Sequence, residues 1–161
     1  MHSGFYFEKF RILEDPALLR LFSRDLSRFF RRFSPDRVAG PFTGGAILAY
    51  EVARIMGIRA AYAEKGENGR VFRRGFNLSG ERVVVVDDVL TTGRSLTETV
   101  RAVEEAGGEV VAVGVMVKRG EYGGRYPFHS VLELNFPTYS PRECPLCASG
   151  LPITSPGKGG V

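Results

Sequence analysis

The chain has few of the residues that would commit it to several common architectures. Cysteine occurs only as Cys144 and Cys147, too few for a disulfide framework. Histidine occurs only as His2 and His129, and tryptophan is absent. No apolar run approaches the roughly 20 residues that a membrane-spanning helix needs. The first ten residues, MHSGFYFEKF, hold neither a basic leader nor an apolar signal core. The expectation is therefore a cytoplasmic protein with no membrane partner. Excess charge is also lacking: 22 Lys and Arg against 18 Asp and Glu leave +4, spread along the chain. A small phosphate and a nucleic acid suit such a balance equally. The nucleotide motifs GxxxxGKS/T and GxGxxG are both missing, as is any internal repeat.

The 161 residues that remain suffice for one compact domain with its own core. Residues 1–150 are read as that domain and 151–161, which include TSPGKGG, as a flexible tail. Asp15-Pro16 is a helix start, an N-cap followed by proline at the first helical position. Leu18, Phe22, Leu26, Phe29, Phe30 and Phe33 then recur at helical spacing, and the arginines between them read as a solvated face rather than a nucleic-acid surface. Further along, strands are predicted over 37–40, 59–63, 71–76, the valine run from Arg82, 109–117 and 130–134. Helices are predicted over 46–56 and 96–106, each followed by glycine. EKGENGR, residues 64–70, reads as a mobile loop and a candidate lid. Strands alternate with helices and the central strands are apolar throughout. The pattern is an α/β fold, with a mainly parallel central sheet covered by helices on both faces.

In such a sheet, ligands bind beyond the carboxyl ends of the strands, in loops that lead into helices. The segment RVVVVDDVLTTGRSLTETV, Arg82 to Val100, meets this description. An unpaired buried carboxylate costs several kcal/mol, so Asp87 and Asp88 are expected at the strand's exposed end. Paired acids there can accept hydrogen bonds from a ligand's hydroxyls or hold a hydrated metal. Thr91 to Ser95 add hydroxyls and, around Gly93, closely spaced backbone N–H groups at a helix start, an arrangement that suits a phosphate. An acid pair beside an anion cup fits a ligand that carries both a diol and a phosphate. A sugar phosphate is the economical choice.

VVVVDDVLTTGRS resembles the phosphoribosyl-pyrophosphate signature of the type I phosphoribosyltransferases, whose fold is Rossmann-like. HSGFYFEKFRILEDP, GPFTGGAILAYEVA, YAEK, VKRGE and CPLCASGLPITSPG extend the likeness over most of the chain. Together they are most similar to the orotate phosphoribosyltransferases, in a shorter-looped form with a cysteine-containing tail. The resemblance implies transfer of a phosphoribosyl group to orotate with Mg²⁺, in pyrimidine synthesis, by a homodimer. It implies catalytic roles for Asp87, Asp88 and Lys65. It places Val89, Leu90, Thr91, Thr92, Gly93, Arg94 and Ser95 with the acids around phosphoribosyl pyrophosphate, and Lys65, Thr43, Gly44 and Gly45 along its phosphates. Thr91, Arg119, Tyr6 and Phe7 would face orotate, and residues 1–14 would form part of a substrate-binding hood.

The chain departs from the better-known branch of this family. Its lid region holds Lys65 and then only Arg70, and Gly44 stands where that branch has a lysine. Two other functions therefore stay open on sequence: transfer to a purine or another base, and a regulator that binds phosphoribosyl pyrophosphate without turnover. The CxxC of Cys144 and Cys147 suits inert thiols, a disulfide or half of a zinc site. Against zinc stand the need for four ligands and the distance in sequence to His2 and His129.

Overall fold

The structure, a computed structural model, describes residues 2–154. Part of the tail expected to be flexible, residues 155–161, lies outside the described residues. The elements in chain order are α1 (Phe10–Leu13), α2 (Pro16–Phe30), a 3-10 turn (Arg31–Phe33), β1 (Arg37–Pro41), α3 (Gly44–Met56), β2 (Arg59–Gly66), β3 (Gly69–Phe72), β4 (Arg82–Leu90), α4 (Arg94–Glu105), β5 (Glu109–Lys118), β6 (Phe128–Glu133) and α5 (Pro145–Ala148). The six strands form one sheet in the order β3-β2-β1-β4-β5-β6. Every neighbouring pair is parallel except β2 with β3.

The valine run explains how both faces are covered. Side chains alternate across a strand, so Val84 and Val86 point to the face packed by α2 and α3, while Val83 and Val85 join the core under α4. α2 begins as its sequence dictates. The Asp15 carboxylate accepts the N–H groups of Ala17 and Leu18 at 2.8 and 3.2 Å, and Pro16 occupies the first turn. Its buried stripe is Leu19, Ser23, Leu26, Ser27 and Phe30, with Leu18 turned outward. Phe22, Phe29 and Phe33 of the expected stripe pack partly buried against the same core, which also takes in Leu19, Ser23 and Ser27 where helix and sheet approach closely. A Cβ on Gly114 of β5 would lie 2.8 Å from both Leu26 and Phe30, and Ser27 Oγ is satisfied by the Ser23 carbonyl at 2.7 Å.

The segment expected to be a mobile loop, residues 64–70, is a β-hairpin. β2 runs on to Gly66 and pairs with β3 through Lys65–Arg70 and Gly66–Gly69, leaving Glu67 and Asn68 as a two-residue turn. Gly69, at φ 127°, takes a backbone conformation that other residues rarely adopt. Polar side chains concealed the strand because this edge hairpin is only partly buried and lacks an apolar alternation.

The order in which the chain adds strands to the sheet reverses between β1 and β4, which run parallel. β1 leads through α3 to β2 on one side, and β4 leads through α4 to β5 on the other. Such a switch point leaves a crevice beyond the carboxyl ends of the two strands. The loops Phe42–Thr43 and Thr91–Gly93 flank it.

Candidate active site

β4 delivers Asp87 and Asp88 to this crevice, but not as a solvated strand end. The strand continues to Leu90, and the two acids are only 5% and 4% exposed. Local donors and a cation sustain this burial. The N–H of Asp88 donates to Asp87 Oδ1 at 2.8 Å, and that of Val89 to Asp88 Oδ1 at 2.7 Å. Lys9 places its ammonium 2.7 Å from Asp88 Oδ2. The balance is incomplete at Asp87. Burial, and then the neighbouring Asp88 charge, push its pKa up to about 7, against the opposing pull of the Asp88 amide, the Ser95 hydroxyl and Lys9.

The first loop touches the acids through backbone alone. A Cβ on Gly44 would fall 1.8 Å from Asp88 Oδ2, and one on Gly45 would fall 2.5 Å from the Pro41 ring and 3.3 Å from Asp87 Oδ1. The space that a side chain at position 44 would need is thus taken by Asp88. Thr43, before α3, is exposed and its side chain caps nothing. The Phe42–Thr43 peptide is cis.

Two cavities open on the crevice. The first, about 390 Å³, is lined by Lys65, Arg70, Asp87 and the stretch Val89 to Leu96, with Glu98. Lys65 and Arg70 face each other across the hairpin. The Arg70 guanidinium donates through Nη1 to the carbonyls of Phe42 and Ala63. Its Nε is buried with no partner among the described residues. Gly93 adopts a left-handed conformation, φ 73°, which turns the chain into α4.

The second cavity, about 940 Å³, is lined among others by Tyr6, Thr91, Thr92, Arg119, Phe5 and Phe136. Phe5 stacks on Phe136 with centroids 4.8 Å apart, and the Arg119 guanidinium lies 5.4 Å from the Phe136 centroid. Arg119 is fixed beside the β4–α4 loop because its backbone N–H donates to the Leu90 carbonyl at 2.8 Å. Gly120 permits that approach, since a Cβ there would meet the Thr91 carbonyl oxygen at 1.9 Å. Thr91 and Thr92 belong to both cavities.

The structure therefore gathers Asp87, Lys65 and residues 89–95 in one cavity, and Tyr6, Arg119 and Thr91 in its neighbour. Asp88, Gly44 and Gly45 lie directly behind them. Phe7 is placed differently: it packs against the core cluster that includes Leu13 and Leu19. Lys9, Phe5 and Phe136 are the residues that reading the sequence missed. A lone lysine or phenylalanine in irregular chain carries no periodic signal. His2, distant in sequence from the cysteine pair, lies next to it, with Nδ1 3.1 Å from Cys147 Sγ.

A cavity lined by charged and hydroxyl side chains thus meets an aromatic one at two threonines, and the class of protein, a transferase of phosphoribosyl groups, is given by the domain the chain matches. The family follows from comparison with known proteins. The chain matches the phosphoribosyl transferase domain over residues 11–131, and it belongs to the phosphoribosyltransferase family. It is 46% identical over 159 residues, 97% of this chain and 84% of the other, to the orotate phosphoribosyltransferase of Caldanaerobacter subterraneus subsp. tengcongensis. Among solved structures, a phosphoribosyltransferase from Corynebacterium diphtheriae superposes with a TM-score of 0.72 at 26% identity, covering 82% of this chain and 84% of that one. The orotate phosphoribosyltransferase of Mycobacterium tuberculosis, in complex with Fe(III) dicitrate, gives 0.70 at 28% identity and 82% of each chain.

Proposed function

We propose that this chain transfers the phosphoribosyl group of phosphoribosyl pyrophosphate to orotate, giving orotidine 5′-phosphate and pyrophosphate in pyrimidine synthesis. The observation that carries this reading is the pair Thr91 and Thr92, which line both cavities and so make a polar, charged cavity adjoin an aromatic one. The names of the relatives at up to 46% identity support orotate as the acceptor.

In this reaction the bond from ribose C1 to the pyrophosphate oxygen breaks, and its electron pair leaves with pyrophosphate. The ring nitrogen of orotate gives up its proton, which leaves with pyrophosphate, and forms the new bond to C1. Positive charge builds on the ribose, as in glycoside cleavage. The Asp87 and Asp88 carboxylates accept the ribose hydroxyls and stabilise that charge. The amides and hydroxyls of Thr91 to Ser95 hold the 5′-phosphate. Lys65, with the unpartnered Nε of Arg70 nearby, neutralises the leaving pyrophosphate, along which Thr43, Gly44 and Gly45 lie. Tyr6 borders the ring, and Arg119 pairs with its carboxylate. Phe7, next to Tyr6 in sequence, packs against the core cluster. The β2–β3 hairpin, beside which α4 places Glu98, is the element that excludes water over the sugar.

A divalent magnesium ion fits the first cavity, where the groups able to ligate a metal are oxygens, the carboxylates of Asp87 and Glu98 and the hydroxyls of Thr91, Thr92 and Ser95, beside the cations Lys65, Arg70 and Arg94. The substrate's pyrophosphate and ribose oxygens would hold it, with Asp87 alongside, and it would offset charge on the leaving group. A homodimer belongs to the same proposal. Leu18, Leu21, Ile47 and Tyr50 are exposed on α2 and α3 at 40%, 61%, 37% and 66%, an apolar strip that a second copy would cover. The compartment proposed is the cytoplasm; among the described residues no helix is long and apolar enough to cross a membrane.

The deciding assay supplies phosphoribosyl pyrophosphate and Mg²⁺ with orotate, adenine, hypoxanthine, guanine or uracil in turn. Turnover with orotate alone is expected. Turnover with a purine instead, or binding of phosphoribosyl pyrophosphate without turnover of any base, would replace the proposal. Light scattering checks the dimer.

A further inference from the structure

The residues that wall the second cavity come from the two ends of the described chain. His2 exchanges two backbone hydrogen bonds with Tyr139, each 2.8 Å, forming an isolated antiparallel bridge. Ser3 Oγ donates to the Pro137 carbonyl at 2.9 Å. This brings the imidazole of His2 onto the turn that holds the two cysteines, both free thiols. His2 Nδ1 stands 3.1 Å from Cys147 Sγ, and the ligand atoms of His2, Cys144 and Cys147 lie within 4.8 Å of one another.

We infer that His2, Cys144 and Cys147 form a zinc site that fastens the N-terminal segment to the C-terminal one along the wall of the second cavity. Bond lengths of about 2.3 Å to sulfur and about 2.0 Å to nitrogen put tetrahedral ligands roughly 3.3–3.8 Å apart. Small side-chain adjustments bring the observed spacing to that range. One imidazole with two thiolates is a donor set that zinc favours over hard cations. A disulfide would use the CxxC pair but would leave the placement of His2 unexplained. The other histidine is committed elsewhere, its Nε2 at 2.5 Å from Asp25 Oδ1.

Three ligands among the described residues leave a fourth tetrahedral position. All three residues line the second cavity, as do Arg119 and Tyr6. The fourth ligand is thus supplied from the cavity, by water in the free protein. Such a centre differs from a fully closed structural zinc site, yet it ties together two segments that share little core. Phe5 and Tyr6 follow His2 closely in sequence, and Phe136 precedes Tyr139. The metal therefore braces the aromatic walls from both sides.

The test uses the full chain, purified without a histidine tag and under reducing conditions. Elemental analysis after desalting is expected to find close to one zinc per chain. His2→Ala and Cys147→Ser, which spare the buried Cys144, should each weaken zinc binding in a chelator competition by at least about tenfold, since even loss of an outer-shell partner costs 10–100-fold. Cobalt(II) added to the metal-stripped chain should give a thiolate-to-cobalt charge-transfer band and the visible absorption of a tetrahedral site. Zinc should raise the melting temperature of the stripped wild type and leave that of Cys147→Ser unmoved. No zinc on isolation together with no uptake after reduction would overturn the site, as would a Cys144–Cys147 disulfide that takes no metal once reduced. Zinc bound without any rise in melting temperature would overturn its bracing role. None of these readouts depends on which base the enzyme accepts.

Discussion

Lys9 and Asp88 form an ion pair of 2.7 Å in which the carboxylate side chain is 6% exposed and the lysine 35%. A buried carboxylate beside a second one needs a counter-charge, and Lys9 supplies it from the N-terminal segment. The pair thus links that segment to the acid pair. In the proposed reaction the ammonium fixes the position of the Asp88 carboxylate before the ribose diol arrives. Lys9→Met is expected to lower kcat/KM for phosphoribosyl pyrophosphate by at least about tenfold, equivalent to ~1.4 kcal/mol. Initial rates over a range of that substrate check this, and an unchanged value would remove Lys9 from the site.

Asp87 makes pH dependence a direct probe. Its pKa in the fold, about 7, lies above the ordinary 3.8 because of burial and then Asp88. The native state therefore binds this proton more tightly than the unfolded chain. The stabilisation it contributes is complete below about pH 3.8 and is lost as pH rises through about 7. Catalysis runs the opposite way, since the ribose hydroxyls need the carboxylate as acceptor. We expect kcat/KM to rise with pH to a plateau above a break near 7, the free-enzyme value. Lys9→Met should move that break upward, because Lys9 pulls the Asp87 pKa down. Asp87→Asn should remove this part of the pH dependence of unfolding, measured in urea from about pH 5 to about 8. Parallel stability curves for the wild type and the Asp87→Asn variant would refute the assignment.

Gly44 separates packing from chemistry. An added Cβ would sit 1.8 Å from Asp88 Oδ2 and 3.1 Å from Leu13 Cδ1, so either the carboxylate or the loop must shift. Misplacing a reacting group by about 1 Å can cost 10²-fold in rate. Gly44→Ala is accordingly expected to lose about 10²-fold in kcat while keeping a cooperative melting transition. Near-wild-type turnover would show that the loop can retreat without disturbing Asp88.

The parallel sheet and its α/β order were legible because the central strands are largely apolar and α2, α3 and α4 each carry an N-cap or a glycine at their end, while the four-residue α1 and α5 lack such signals. The stretch Asp87 to Ser95 was legible as well, since acids and small hydroxyl residues meet at a strand-to-helix junction. What escaped was decided by contacts across long sequence separations. Burial of Asp87 and Asp88 depends on Lys9 and on their own backbone donors, none of which changes the local pattern. The approach of His2 to Cys147 spans 145 positions. The hairpin at residues 64–70 escaped for a different reason. Its strands are polar and lie at the sheet edge, where period-two hydrophobicity is not required.

Arg119 offers the sharpest division between the two substrates. It lies in the second cavity, held by its amide bond to Leu90 and packed over Phe136, which stacks in turn on Phe5. The first cavity does not include it. A guanidinium matches a ring carboxylate in charge and fork geometry. Arg119→Ala should therefore raise KM for orotate by at least about tenfold, or ~1.4 kcal/mol, with KM for phosphoribosyl pyrophosphate changed by less than about twofold. Phe136→Leu keeps the cation but removes its platform, so it should raise KM for orotate by a smaller factor in the same direction. Equal rises for both substrates in Arg119→Ala would mean that the residue supports the fold of the site rather than reading the base, and the assignment of orotate to this cavity would fall with it.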